Sequence, residues 1–190
     1  MSRDLSWSNH VDTLVNKANK VLCLLKRPVG SKNRKIFSVL YRSLVRPLLE
    51  YASPVWSPYL VKDKLAIEST QRRASRIVLG QKRRETSYED RCELLGWSTL
   101  ERRKEYFSLV ECYKIVFDLN GLECSDYFEF CNNNRRSNNP FRIRMKSAEV
   151  NAFKHSFFLE EWNNLPHHLF GNDININKFK YNLKKWMNIS

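Results

Sequence analysis

The sequence predicts a mainly α protein: a helical first half, then a helical C-terminal region with at most a short strand pair. Three observations carry this. Apolar residues recur at helical spacing along most of the chain. Glycines and prolines, five and six among 190 residues, are too few for a turn-rich sandwich. Only Phe141–Met145 alternates with period two. Hydrophobic residues make up 42%, enough for a core in a chain that on folding buries roughly 70% of its unfolded surface.

The elements follow in order. Ser8 is placed to cap a helix with Val11, Leu14, Val15, Ala18, Leu22 and Leu25 on one stripe, and Pro28 and Gly30 end it. Ser31 starts a second helix, with Ile36, Phe37, Leu40, Tyr41, Leu44, Val45 and Leu48 on one face. Pro47 falls inside that pattern and should kink it. Pro54 disfavours a helical Ser53, so the helix should end near Ala52, and residues 54–58 read as an extended turn packed through Trp56.

Asp63 caps a third helix reaching Val78 or Leu79, with Gly80 just past its end. Ile67, Thr70, Ala74, Ile77 and Val78 form its inner face, and Glu68, Arg72, Arg73 and Arg76 its outer face. A basic connector, Gln81-Lys82-Arg83-Arg84, leads to a short helix opening at Ser87–Asp90 and stopped by Gly96. Ser98-Thr99-Leu100-Glu101 has the spacing of a capping box. It opens the longest helix, roughly 99–119, with Leu100, Phe107, Leu109, Val110, Tyr113, Val116 and Phe117 inward and Asn120-Gly121 as its terminator.

Residues 131–139, rich in Asn, Arg and Ser, read as a mobile loop. Phe141–Met145 reads as a short strand whose partner is not evident, and helices near 152–163 and 177–187 finish the chain. A division near residue 85 separates a first domain, 1–85, from a C-terminal region, 86–190.

Net charge is +13 and the isoelectric point is about 9.7. The excess is patterned: residues 1–50 hold ten Lys/Arg against three acids, 51–110 twelve against eight, 111–134 one against five, and 135–146 five against none. Basic blocks attract polyanions by neutralising phosphates and releasing counterions. No apolar run approaches the ~20 residues that span a bilayer, and Met1–Leu5 lacks the apolar core of a signal peptide. The expected setting is intracellular, in the nucleus or a cytoplasmic ribonucleoprotein, with no membrane partner. The five cysteines (Cys23, Cys92, Cys112, Cys124, Cys131) form no C-x-x-C pair, so no metal is assigned.

Several motifs then fall into one order. Leu5-Ser6-Trp7 with His10, and Lys17-Ala18, come first. Leu44-Val45-Arg46-Pro47 follows, running through Glu50-Tyr51-Ala52 to Trp56. Next are Ile67-Glu68-x-x-Gln71-Arg72-Arg73-Ala74-x-Arg76 and Leu95-Gly96-Trp97-x-Thr99-Leu100-x-Arg102-Arg103. Trp162-Asn163-x-Leu165-Pro166 and Phe179-Lys180 close the set. Each is weak alone, but the ordered set resembles the C-terminal part of reverse transcriptases from jockey-type non-LTR retrotransposons (LINE elements), across nearly the whole chain.

The resemblance implies a location within a larger polymerase. Residues 1–10 look like the end of the connection from the palm, residues 11–80 like the helical thumb that grips the template–primer duplex, and the rest like the post-thumb region. The palm, with its Tyr-x-Asp-Asp turn and Mg2+, would lie upstream. The chain itself is then not an enzyme and needs no cofactor of its own. Its partners would be RNA or an RNA–DNA duplex, and the palm or another protein.

The chemistry legible in the residues agrees. Two-metal nucleotidyl transfer needs clustered carboxylates about 4 Å apart around the ions, and no Asp-Asp dipeptide occurs. Glu89-Asp90 and Glu160-Glu161 read as surface acids near helix ends. His10, His155, His167 and His168 lack a nucleophile motif beside them, and His167-His168 reads as an exposed turn. The candidate nucleic-acid contacts are Arg72, Arg73 and Arg76 on the third helix, Lys82, Arg83 and Arg84 in the connector, and Lys32, Arg34 and Lys35 at the second helix. Such cations position a duplex without reading its bases. The competing reading of the arginine face is a solvated surface on which Glu68 pairs with Arg72 at i,i+4. Arg83 and Arg84 read equally as a nuclear-import patch or a solvated linker. A non-enzymatic protein-interaction module is the alternative for the chain as a whole.

Overall fold

A computed structural model describes residues 7–29, 33–56, 58, 60–80, 86–131, 141–145, 159–171 and 173–189. The protein is mainly helical, with one two-stranded antiparallel sheet among the described residues. It forms two compact units, Met1–Arg103 and Lys104–Ile189. The boundary lies beyond the division placed near residue 85, because Trp97 and Leu100 are buried in the core of the first unit. No helix of the described residues is long and apolar enough to cross a membrane.

In the first unit, α1 (Ser8–Lys26) buries Val11, Ala18 and Leu22 completely, with Leu14, Val15 and Leu25 packed beside them. Ser8 is not its cap. Trp7 holds the cap position, and Ser8 Oγ instead donates to Asp63 Oδ2 at 2.8 Å. Asp63 is likewise not a cap but lies in the first turn of α4 (Val61–Leu79), where it is buried. This bond joins the starts of two helices that pack on each other.

The second helix departs from regular α periodicity. α2 (Arg34–Leu40) starts with Asn33 Oδ1 accepting from the Ile36 amide at 3.2 Å; Ser31, its expected start, lies outside the described residues. A wide π-type turn then covers Tyr41–Val45, closed by the Arg46 amide donating to the Tyr41 carbonyl, and α3 (Arg46–Glu50) completes the run. Pro47 supplies the cause. It has no N–H to donate, and its ring would press on the carbonyl four residues back, so the backbone opens by one residue ahead of it.

The wide turn resets the buried face to Phe37, Tyr41, Val45 and Leu49. In a regular helix these steps of four would drift about 120° from first to last. Ile36 and Leu44, placed on the inner face by α periodicity, are about half exposed in consequence.

The chain leaves α3 through Ala52, which takes φ +52°, a left-handed conformation costing a β-carbon-bearing residue roughly 1–2 kcal/mol. The Trp56 indole N–H donates to the Tyr51 carbonyl at 2.6 Å, and the Val55 amide to Ala52 O at 2.9 Å. The turn is therefore a closed, hydrogen-bonded one around a buried Trp56, rather than an extended one. α4 ends at Gly80, left-handed as expected. α5 (Tyr88–Leu95) is capped by Ser87 Oγ, which accepts from the Asp90 amide at 3.0 Å, and stopped by a left-handed Gly96.

α6 (Leu100–Val116) is capped by Thr99, whose Oγ1 accepts from the Arg102 amide at 3.2 Å. The cap is thus one residue later than Ser98, and the Glu101 carboxylate pairs with Lys64 at 3.0 Å. The helix stops before Asn120-Gly121. Asp118 goes left-handed, and the Leu119 amide donates back to Lys114 O at 2.8 Å, a Schellman-type ending.

In the second unit, α6 buries Tyr106, Cys112 and Ile115 besides the predicted Leu109, Val110 and Tyr113. Its buried positions are close together in sequence, with the half-buried Glu111 and Lys114 between them. After α7 (Cys124–Tyr127), β1 (Phe128–Phe130) supplies the partner that the sequence left open for β2 (Ile143–Met145), with Glu129 opposite Arg144. Residues 132–140, most of the expected mobile loop, lie outside the described residues.

α8 (Leu159–Asn163), a short 3-10 turn (His167–Leu169) and α9 (Ile176–Met187) close the unit. Trp162 is fully buried, and its indole donates to Phe141 O at 2.8 Å. Asn163 binds the outer edge of β2 twice: Oδ1 accepts from the Ile143 amide and Nδ2 donates to Ile143 O, both at 2.9 Å. Phe179 stacks on Tyr113 at 4.1 Å. The Trp-Asn-x-Leu-Pro and Phe-Lys motifs therefore supply core packing and strand anchoring.

Candidate nucleic-acid interface

The proposed interface is built on α4, a helix whose polar residues are distributed unusually. Asp63, Glu68, Thr70, Gln71 and Ser75 are all buried beside Ile67, Ala74 and Val78. Glu68 was placed on the outer face by periodicity. It is only 9% exposed, because α5 and the start of α6 cover that side.

Glu68 accepts a short hydrogen bond from the Tyr88 hydroxyl and a second from the Leu100 amide at 3.2 Å. Burial raises its pKa above the usual carboxylate range, although both bonds pull the other way. Tyr88, buried against that acid, is pushed far up and stays a neutral donor.

Gln71 is the hub. Its Oε1 accepts from the Tyr41 hydroxyl at 2.9 Å, and its Nε2 donates to Tyr88 Oη and the Ser98 carbonyl, each at 2.9 Å. Tyr41 stacks on Trp97 at 4.6 Å. Arg91, also buried, donates to Ser75 Oγ at 3.0 Å and to Thr86 O at 2.6 Å. Nearby, Arg103 grips Glu50 through two nitrogens, at 2.5 and 3.0 Å, and Arg46 lies 3.8 Å from the same carboxylate. Glu50 thus holds two arginines, Arg46 from its own helix and Arg103 from α6.

Most of these contacts are invisible to periodicity because they join residues far apart in sequence, as Gln71 with Tyr41 and Arg103 with Glu50. The signal was present in the motifs: Glu50, Glu68, Gln71, Trp97, Thr99 and Arg103 all belong to them. Satisfied polar networks of this kind rigidify a core.

The candidate cations separate into two groups. Arg72 is half-buried, with its guanidinium 4.9 Å above the Tyr88 ring, and Arg91 lies 5.8 Å from the same ring. Arg72 therefore does not share one open face with Arg73, and the Glu68–Arg72 pairing gives way to Glu68–Tyr88. Arg73 is exposed; it reaches α1 at Asn19 Oδ1 (3.5 Å) and Cys23 Sγ (3.3 Å), neither of them an acid. Arg76 is half-buried.

Arg34 is exposed and lies at the C-terminal end of α4: a β-carbon on Gly80 would stand 3.0 Å from its Nη2. A cation there complements the helix dipole. Gly80 is seven residues beyond Arg73, hence about 20° away around the helix and about 10 Å along it. The fold thus brings Arg34 to the face that carries Arg73 and Arg76. Lys35 is exposed on α2, and Lys32, Lys82, Arg83 and Arg84 lie outside the described residues.

Among the described residues no three His, Cys, Asp or Glu side chains are grouped to hold a metal ion, so the residues described do not fit a two-metal site. Glu89 and Asp90 are exposed in the first turn of α5, and His167 and His168 are exposed in the 3-10 turn. Glu161 is half-buried in α8. His10 packs its ring against Trp56 at 4.9 Å. No protein-family model, curated protein or solved structure matches the chain.

Proposed function

We propose that this chain is the non-catalytic thumb and post-thumb portion of a LINE-type reverse transcriptase, and that it holds a template–primer duplex or element RNA on the α4 face bearing Arg73, Arg76 and Arg34. One observation supports the nucleic-acid reading above others. Both carboxylates of α4 are withdrawn from solvent, Asp63 at 5% and Glu68 at 9% exposure. The helix consequently offers the solvent cations without interspersed acids, which is what backbone-positioning contacts to phosphates require. The order and spacing of the motif set along the chain support the family reading. On this reading polymerisation and its Mg2+ belong to the palm, in another part of the polymerase.

The test is titration of the full chain with an RNA–DNA duplex at two salt concentrations. Changing Arg73 and Arg76 to Ala together should lower the salt slope by about two, one for each lost phosphate contact. Arg72→Ala should cost stability but leave the slope unchanged. Unaltered affinity in the Arg73/Arg76 double variant removes the site, and absence of binding at low salt removes the function.

The second reading, a protein-interaction module, draws on one observation. Ile36, Val39 and Leu44, along the outer side of α2 and the wide turn, are each about half exposed. A partner protein that protects these residues from hydrogen exchange, in a chain that fails to bind duplex, would favour it.

A further inference from the structure

We infer that the solvent face of α9, in the second unit, is a separate binding site for single-stranded nucleic acid, with Tyr181 as a base-stacking platform between phosphate-binding lysines. This goes beyond the duplex site proposed on α4 and rests on different residues. α9 carries four lysines and no acid in twelve residues. Its apolar side is fully used: Phe179, Leu183 and Met187 are buried in the unit's core.

What remains outside is organised. At about 100° per residue, Lys178, Tyr181 and Lys185 fall within about 60° of one another, in a row about 10 Å long. Lys184 borders the row on the other side of Tyr181, its ammonium 5.8 Å from the Tyr106 ring. Tyr181 is 69% exposed and Trp186, beyond Lys185, is 45% exposed.

Among the described residues no carboxylate lies within ion-pair distance of Lys178, Lys180, Lys184 or Lys185. Asp173, the acid just before the helix, is itself exposed. Lys178 is also placed rather than loose: a β-carbon on Gly171 would touch its Cε at 3.6 Å, so its stem lies along the preceding turn.

Exposed rings between unpaired cations are what single-strand binders use, because every base has a face to stack and every nucleotide a phosphate. A duplex keeps its bases stacked on one another, so Tyr181 discriminates for single strands. An anionic membrane would require an apolar face free to insert, and that face of α9 is buried.

The test is fluorescence anisotropy of the full chain with a labelled oligouridylate. Tyr181→Ala should weaken binding roughly five- to 150-fold, the loss of about one stacked base, while Tyr181→Phe should retain it. Changing Lys178 and Lys185 to Ala together should flatten the salt slope by about 1.4, from two phosphate contacts at ~0.7 each on a single strand. Changing Arg73 and Arg76 should leave the Tyr181-dependent part of oligouridylate binding intact, so this site and the α4 site fail independently. All three substituted positions on α9 are exposed, and circular dichroism verifies the fold of each variant. Equal affinity of Tyr181→Ala and the unaltered chain overturns the inference. So does binding to phosphatidylserine vesicles, or to a polyglutamate peptide, with no binding to oligouridylate.

Discussion

Replacing Gln71 by Ala removes one side chain and undoes three hydrogen bonds, so its cost can be worked from the partners left behind. The Tyr41 hydroxyl, on a fully buried residue, loses its acceptor. The Ser98 carbonyl loses the Nε2 donor, while Tyr88 keeps its bond to Glu68. The orphaned Tyr41 hydroxyl alone costs about 1–3 kcal/mol, to which the bond lost at the Ser98 carbonyl and the vacated space add. Against a whole-domain stability of about 5–15 kcal/mol this is a large fraction.

Because the chain has two units, a single unfolding midpoint would blur the effect. Native-state hydrogen exchange separates them: protection in α4 and α5 should fall by the stated amount, while α9 stays unchanged. Ser69→Ala, exposed on the same helix, should shift α4 protection by no more than about 0.5 kcal/mol. A loss below about 1 kcal/mol in Gln71→Ala would refute the claim that this network holds α4 to α5 and to the start of α6.

Two further outcomes follow. The folded pKa of Glu68 is raised by burial, so its stabilising contribution is fully present below the unfolded value of about 4.3 and is lost as pH rises through the folded value. Glu68→Gln keeps the acceptor for Tyr88 and Leu100 and should abolish that decline; superimposable pH–stability profiles for the two proteins would contradict it. In the second unit, Asn163→Ala strips both groups of Ile143 of their partners and should cost about 2 kcal/mol. The Ile143 amide should then exchange faster by hydrogen exchange, and an unchanged rate would mean that Asn163 does not hold the strand edge.

What could be read from the residues was local. Gly80 and Gly96 end their helices, and Ser87 begins one, because caps are satisfied within a few residues of the chain. Val11, Ala18 and Leu22 are buried as the spacing of α1 predicted. The misplacements have one kind of cause. Ser8 and Asp63 have the chemistry of caps, but their side chains bind each other across the fold instead. Pro47 marks a disturbance in the second helix, but periodicity does not show that the backbone answers it with a wide turn at Tyr41–Val45. The candidate interface was legible as a cluster of arginines but not as a face. Arg72 and Arg73 are neighbours in sequence, and only the arrival of Tyr88 turns one inward.

The sequence alone determined that the chain is helical, where most helices begin and end, and that its charge is strongly basic, because these depend on spacing, composition and local hydrogen bonding. Tertiary structure decided the rest. It drew Glu68 and Gln71 into a buried network, closed Glu50 onto Arg103, paired β2 with β1, and sorted the basic residues into anchored and outward-facing sets. Those outcomes depend on which surfaces meet, and a buried polar group takes whichever partner the fold brings within hydrogen-bond distance, however far away it lies in the chain.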